Sequence, residues 1–390
     1  MAVDLTEISS NGASARAHQP TVVFVDDAPW ECFFHLSAML RRNGFRTVRI
    51  SIGLPDWQGD HMLFDRQVSL PAAPTSAHLA KILSTEWVSD IHPTEHLAST
   101  TYAAMSLLPV EQRSDVWRGR TNFLDKLRVS ADVRALGLRA PDTLLAGTVT
   151  PREAVDELSL PIVLKPRVSS AGGGIQIFES LAALESFVAT LSSAGDWFYE
   201  RYVDGRPLVC GACVSNDGID VITSYLILER VDAHGSSLAV EILDDAVLEG
   251  IGARLIEGLA IRGLVCFDVI RDPHGVDWIH DINLRDFGGV SMCQLVGFDF
   301  VGSYVRWLTG RGSIAPAPVG VAGQKQYVFP FGLEHILRSS PQSSAPIRTI
   351  RWALSYQKLL GTRYFLSVAL RAGDAVFRRF LTRASDAIRA

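Results

Sequence analysis

Long apolar runs are missing from this chain of 390 residues. No stretch approaches the roughly 18 apolar residues that a membrane-spanning helix needs, so no membrane span is expected. Residues 1–20 carry Asp4 and Glu7 and no apolar core. They read as a disordered tail and not as a secretory leader. Cysteine is scarce: Cys32, Cys210, Cys213, Cys266 and Cys293 are odd in number and scattered. This fits a reducing, cytoplasmic setting without structural disulfides. Positive charge is not in excess, because the formal net charge is −5, and this removes the global case for nucleic acid. Internal repeats are absent as well. The first predicted strand-to-helix turn, "DDAPWE", lacks a Gly-x-Gly, so a dinucleotide fingerprint is excluded there.

What is present is a soluble-type composition, 47% hydrophobic and 20% charged, long enough for two or three domains with a real core. "TVVFVDD", "ECFFHLSAMLRRNG" and "FRTVRISI" predict a β-α-β start and hence a parallel sheet. "EWVSDIHPTEHLA" adds another strand end and helix start, so residues 21–118 are expected to form a small α/β domain. Next come a helix in "NFLDKLRVSADVRALG" and an extended exit through Pro141. Strands and helices then alternate as far as a hairpin in "LVCFDVIRDPHGVDWIHDIN". Residues 313–390 read as a linker and a basic, mostly helical end. From Arg338 onward, ten Lys/Arg face two Asp, a net of +8 that leaves −13 on the rest. Packing on the body and contact with an anionic partner are both open readings of that end.

The hairpin carries the densest chemistry. Pairing Arg271 with Val276 would set Asp268 against Ile279 and Cys266 against Asp281. Asp268, Asp281 and Asn283 would then share one face, with the two carboxylates diagonal and about 7–8 Å apart at Cα. Oxygen ligands so placed can hold one or two Mg²⁺ ions. Arg285 leans the same way and could hold a carboxylate or a developing oxyanion. The "DFG" at 286–288 is not a kinase motif. Asn283 lies only three residues before Asp286, and no Gly-rich loop with a downstream Val-Ala-x-Lys occurs. It reads as the turn leaving the strand. Upstream, "VLKPRVSSAGGGIQIF" puts Lys165 at a strand end before a Ser/Gly loop whose N–H groups could wrap phosphate oxygens, although it is not a P-loop. Cys210 and Cys213 fall in a strand pattern with thiols on opposite faces, against a redox or zinc pair. His92 and His96 lack a third ligand and read as surface chemistry at a sheet edge. Trp87, Trp117, Trp197 and Trp278 read as core.

Taken together, "DKLRVSADVRALGLRAPDT", "IVLKPRVSSAGGGIQIF", "YERYVDG" and "FDVIRDPHGVDWIHDINLR", in that order, make residues 21–312 resemble the ATP-grasp superfamily. The nearest likeness is to the carboxylate–amine ligase branch that includes D-alanine–D-alanine ligase and carbamoyl-phosphate synthase-like proteins. The resemblance implies an α/β chain with a Rossmann-like N-terminal domain and two α+β lobes clasping ATP, the small lobe at 119–203 and the large lobe at 204–312. It implies that Lys126 and Lys165 contact the ATP phosphates and that Ser169, Ser170, Gly172, Gly173 and Gly174 form the phosphate lid. Glu200, Tyr202 and Val203 would lie on the adenine strand, and Asp268, Asp281 and Asn283 would hold Mg²⁺, a role Mn²⁺ can also fill. Arg285 would serve the acyl-phosphate step together with Lys165. The implied reaction joins an amino-acid-like carboxylate to an amine with release of ADP and phosphate, in amino-acid or specialised metabolism. Alternatives are a bicarbonate-phosphorylating relative and an ATP-binding protein without catalysis. The implied partners are small-molecule acids and amines, and a homodimer is compatible. Two departures stand out: Asp281 replaces the family's usual Glu, and Pro207 stands where a ribose-binding Glu is common.

Overall fold

The computed structural model describes residues 19–28, 30–54, 62–114, 117–169, 172–230, 237–330 and 345–365, of which 345–350 by backbone alone. Most of the expected N-terminal tail, Ser170 and the basic end beyond 365 lie outside the described residues.

The first layer is a parallel four-stranded sheet of order β3-β2-β1-β4, built from β1 (Thr21–Asp26), β2 (Arg46–Ile52), β3 (Arg66–Leu70) and β4 (Val88–Pro93). Helix α1 (Glu31–Arg42) joins β1 to β2 and α2 (Ser76–Leu83) joins β3 to β4, while α3 (Glu95–Leu107) follows β4. All six residues of β1 are buried, as a strand covered on both faces requires.

A second, antiparallel sheet has the order β5-β8-β6-β7: β5 (Thr143–Leu145), β6 (Ile162–Pro166), β7 (Gln176–Phe178) and β8 (Trp197–Arg201). It is preceded by α4 (Lys126–Ala135) and backed by α5 (Pro151–Leu158) and α6 (Leu181–Val188). Helix α5 starts sharply because Thr150 and Glu153 form a reciprocal capping box with Pro151 in the first turn.

The third sheet runs β13-β12-β9-β10-β11-β14: β9 (Arg206–Ser215), β10 (Gly218–Arg230), β11 (Ser237–Ile242), β12 (Gly263–Arg271), β13 (Asp277–Asn283) and β14 (Lys325–Tyr327). Helix α7 (Ala246–Gly258) packs on one face, while α8 (Gly289–Leu295) and α9 (Phe300–Thr309) lie on the side of the first layer. Cys210 belongs to the core under α7 and Cys213 to the core under α9, so the two thiols do face opposite ways. Strand β14 lies just past Gly323, in the stretch read as a basic, mostly helical end. Three residues are too few for a period-2 signal, and pairing with β11 decides the conformation. The last helix, α10 (Ala345–Leu360), docks on this edge: Trp352 Nε1 and Tyr356 Oη both donate to the Tyr327 carbonyl, at 3.0 and 2.8 Å. Arg42 Nη1 donates to the carbonyls of Lys358 and Leu359 at the end of α10.

Two expectations fail. His92 is not on the surface: it sits at the end of edge strand β4 but is fully buried beneath α9. Trp87 is 37% exposed and not core: it immediately precedes β4, where its carbonyl accepts from Thr21 N–H while its ring stays at the surface.

Candidate active site

The hairpin of β12 and β13 turns one residue later than the sequence suggests. Arg271 pairs with Asp277, and the Asp272 carboxylate closes the loop by accepting from the N–H groups of His274 and Val276 and from Trp278 Nε1. A bulge then takes up His280, so Asp268 pairs with Asp281 and Cys266 with Asn283. The expected diagonal placement is thus corrected: the two aspartates are direct cross-strand partners, about 5 Å apart at Cα by the geometry of such pairs. They still share a face with Asn283, whose Nδ2 donates to Asp268 at 3.1 Å.

Burial and the neighbouring Asp281 charge push the Asp268 carboxyl above the ordinary range. Lys126 answers this charge. It opens α4, whose Asp125 cap also binds the Arg167 guanidinium, and its ammonium donates to Asp281. Burial works against that ammonium, yet the contact with Asp281 raises it. Among the described residues no cluster of three or more His, Cys, Asp or Glu side chains is arranged to hold a metal. The candidate set is two carboxylates and an amide, hard oxygen donors that suit Mg²⁺ or Mn²⁺ better than zinc. Two facing carboxylates, one of them pushed up by burial and then by the other's charge, make a cation at this point electrostatically favourable.

Lys165 ends β6 beside β8. Its Nζ lies 2.7 Å from Glu200, an ion pair more than an aligned hydrogen bond, and 5.2 Å above the Phe198 ring. His280 Nδ1 meets the other Glu200 oxygen at 3.0 Å, which the bulge makes reachable. Burial opposes the Glu200 anion, but Lys165 and His280 together hold its carboxyl down at about 2. Past Lys165, Gly172 and Gly174 adopt φ of +75° and +80°, where other residues are strained. A Cβ on Gly174 would also come within 2.7 Å of the Pro166 ring. Ser169 is buried at the start of this loop.

Arg285 is held from several sides. Nε donates to Glu95 at 2.5 Å, Nη1 to the Asp286 carbonyl at 2.9 Å and Nη2 to Asn283 at 3.3 Å, while the guanidinium lies 4.3 Å from the Trp30 ring centre. Glu95, Trp30 and His280 were not recognised in the sequence. Glu95 and Trp30 come from the first layer, at helix starts with no fixed spacing to Arg285. His280 is turned inward only by the bulge.

The second and third sheets, with the start of α1 from the first layer, wall one cavity of about 570 Å³. Lys126, Lys165, Ser169, Gly172, Glu200, Tyr202, Val203, Asp268, Asp281, Asn283 and Arg285 line it, and Pro207 lines it too. Gly173 and Gly174 sit in the adjoining turn and do not line the cavity. The arrangement places cations and anions around a concave site large enough for a nucleotide-sized molecule.

No protein-family model matches the sequence, and no curated protein matches it. Solved structures do match. A carboxyaminoimidazole ribonucleotide synthase from Aspergillus clavatus, complexed with ATP, is 12% identical with a TM-score of 0.63, over 79% of this chain and 80% of that one. An L-amino acid ligase from Bacillus licheniformis is 16% identical with a TM-score of 0.58, over 75% and 74%. The biotin carboxylase domain of 2-oxoglutarate carboxylase from Hydrogenobacter thermophilus, with MgADP, ADP and bicarbonate, is 13% identical with a TM-score of 0.57, over 78% and 72%. At such identities the likeness is one of architecture: a Rossmann-like parallel sheet followed by two antiparallel sheets around a common cleft, which is the ATP-grasp fold.

Proposed function

We propose that the protein is an ATP- and Mg²⁺-dependent ligase that joins an amino-acid-like carboxylate to an amine through an acyl phosphate, with release of ADP and phosphate. The observation that carries this reading is the meeting, in one cavity, of Lys126, Lys165, the Asp268–Asp281–Asn283 face and Arg285. A carboxylate is a poor electrophile, and phosphoryl transfer from ATP converts it into one that an amine can attack. Lys165 would hold phosphate oxygens beside the adenine, bordered by Glu200 on β8 and by Tyr202 and Val203, which follow the end of that strand and do not lie on it as the sequence suggested. Asp268, Asp281 and Asn283 would hold Mg²⁺, which when bound offsets charge on the phosphate oxygens. Lys126, close to that face, would pair with the same phosphates. Arg285, fixed by Glu95 and Trp30, would hold the carboxylate being activated. The Ser/Gly loop would cover the site and keep water from the intermediate.

A second reading draws support from the comparisons. Several similar structures are of carboxyaminoimidazole ribonucleotide synthetases, and one contains bicarbonate, so bicarbonate could be the acid that is activated.

The test is a mass-spectrometric assay with ATP, Mg²⁺ and pools of amino acids, small acids and ¹³C-bicarbonate. ADP appearing with certain pools, together with a mass equal to two components minus water, supports the ligase. A ¹³C-carboxylated product supports the second reading. AMP in place of ADP sinks the acyl-phosphate mechanism.

A further inference from the structure

The mechanism above leaves a fully buried polar chain unused. Asp90, His92 and Tyr304 are each at 0% exposure between β4 and α9. Tyr304 Oη donates to Asp90 Oδ2 at 2.6 Å, and Arg120 Nη2 donates to the same oxygen at 2.8 Å. His92 Nε2 lies 2.7 Å from Tyr304 Oη. On its other side, His92 Nδ1 accepts from the backbone N–H of Asp286 at 3.1 Å.

These contacts have only one consistent direction. The Asp286 amide can only donate, so Nδ1 must be unprotonated. A neutral imidazole then carries its hydrogen on Nε2, facing the Tyr304 oxygen at 2.7 Å with Asp90 Oδ2 behind it at 3.4 Å. Tyr304 is left to donate to Asp90, whose carboxylate is kept anionic by Arg120 and held well below the ordinary range despite its burial. The Asp286 peptide is thus bracketed: its N–H is held by His92, and its carbonyl accepts from Arg285 Nη1 at 2.9 Å. The Asp286 carboxyl, buried beside the Arg285 charge, is not one of the two groups that bracket its own peptide.

We propose that His92, locked as the Nε2–H tautomer by Tyr304, is a positioning residue that fixes the peptide on which the Arg285 guanidinium rests. This couples the first sheet to the activating arginine. The catalytic part of the inference rests on the proposed role of Arg285, while the tautomer and the peptide contact do not.

The test uses the full chain and three variants. In ¹⁵N-edited spectra of the wild type, His92 should show an unprotonated Nδ1 and a protonated Nε2. The Asp286 amide should exchange slowly. In His92→Leu the amide loses its acceptor and should exchange at least tenfold faster; in His92→Asn, whose Oδ1 can replace Nδ1, protection should return. ADP release should fall about tenfold to a hundredfold in His92→Leu, the scale of a displaced catalytic group, and recover in His92→Asn, with the Mg·ATP Kd within twofold throughout. A protonated Nδ1, or unchanged Asp286 exchange in His92→Leu, overturns the proposal whatever the activity. So does a His92→Leu protein that is less thermostable yet turns over at the wild-type rate per folded molecule. If Arg285→Ala itself leaves ADP release intact, the proposed function fails at that residue while the His92 tautomer is judged by the spectra alone.

Discussion

Replacing Lys165 with Met removes an ammonium from a pair in which neither partner reaches bulk water, Lys165 being 5% and Glu200 1% exposed. The variant keeps most of the stem's volume, so charge is the main change. Burial raises Glu200's carboxyl while Lys165 and His280 lower it, to about 2 instead of 4.5; at 1.36 kcal/mol per unit the net shift corresponds to about 3 kcal/mol. Breaking a buried pair by deleting one partner costs about 3–5 kcal/mol, which agrees in scale. The sign follows from the depressed carboxyl. Its contribution is complete above about pH 4.5 and is lost as the pH falls toward 2. Urea unfolding followed by tryptophan emission should therefore show Lys165→Met destabilised by about 3 kcal/mol at pH 7, with the gap to wild type narrowing below pH 4. Adding Glu200→Gln should recover most of the loss, since the uncompensated charge is then gone. A single variant within about 0.5 kcal/mol of wild type at pH 7, or a gap that does not change with pH, would refute the reasoning. Calorimetry on the same variant should show Mg·ATP binding at least tenfold weaker, the scale of one charge-assisted hydrogen bond.

Asp281→Asn should lower ADP release by more than a hundredfold, and full activity in that variant would show that the metal face is wrongly assigned. Gly205→Ala should fail to give soluble folded protein, because its Cβ would lie 2.2 Å from the Arg271 carbonyl oxygen, whereas Gly195→Ala has nothing within 4 Å and should melt like wild type. Equal melting temperatures for the two would contradict this packing. Ending the chain before Ala345 strips Trp352 and Tyr356 from the Tyr327 carbonyl and uncovers Phe329. The truncated protein should aggregate on expression, and a monodisperse product of normal stability would show that α10 is dispensable.

The sequence by itself determined the order of elements and the side chains that carry charge into the cleft. β-branched runs such as "TVVFVD" can satisfy burial only as strands inside a covered sheet, and a helix must start where Asp125 can cap it. Asp268, Asp281, Asn283 and Arg285 were legible from strand alternation along one hairpin and Lys165 from its place before a Gly loop, whereas Lys126 stood out only through the resemblance to a family. The tertiary structure decided everything that depends on partners distant in the chain. A turn one residue later and one extra residue in β13 together move Asp281 from a diagonal to a direct neighbour of Asp268, and a bulge leaves no signature in composition. His92 reads as a surface residue beside Pro93 until α9 is laid across it, more than two hundred residues later, with Tyr304 to receive its proton. Glu95 and Trp30 reach Arg285 only after the first sheet packs against the third. Local sequence sets conformation and face through short-range sterics and hydrogen bonding, whereas burial, tautomer and charge pairing are properties of the assembled cleft.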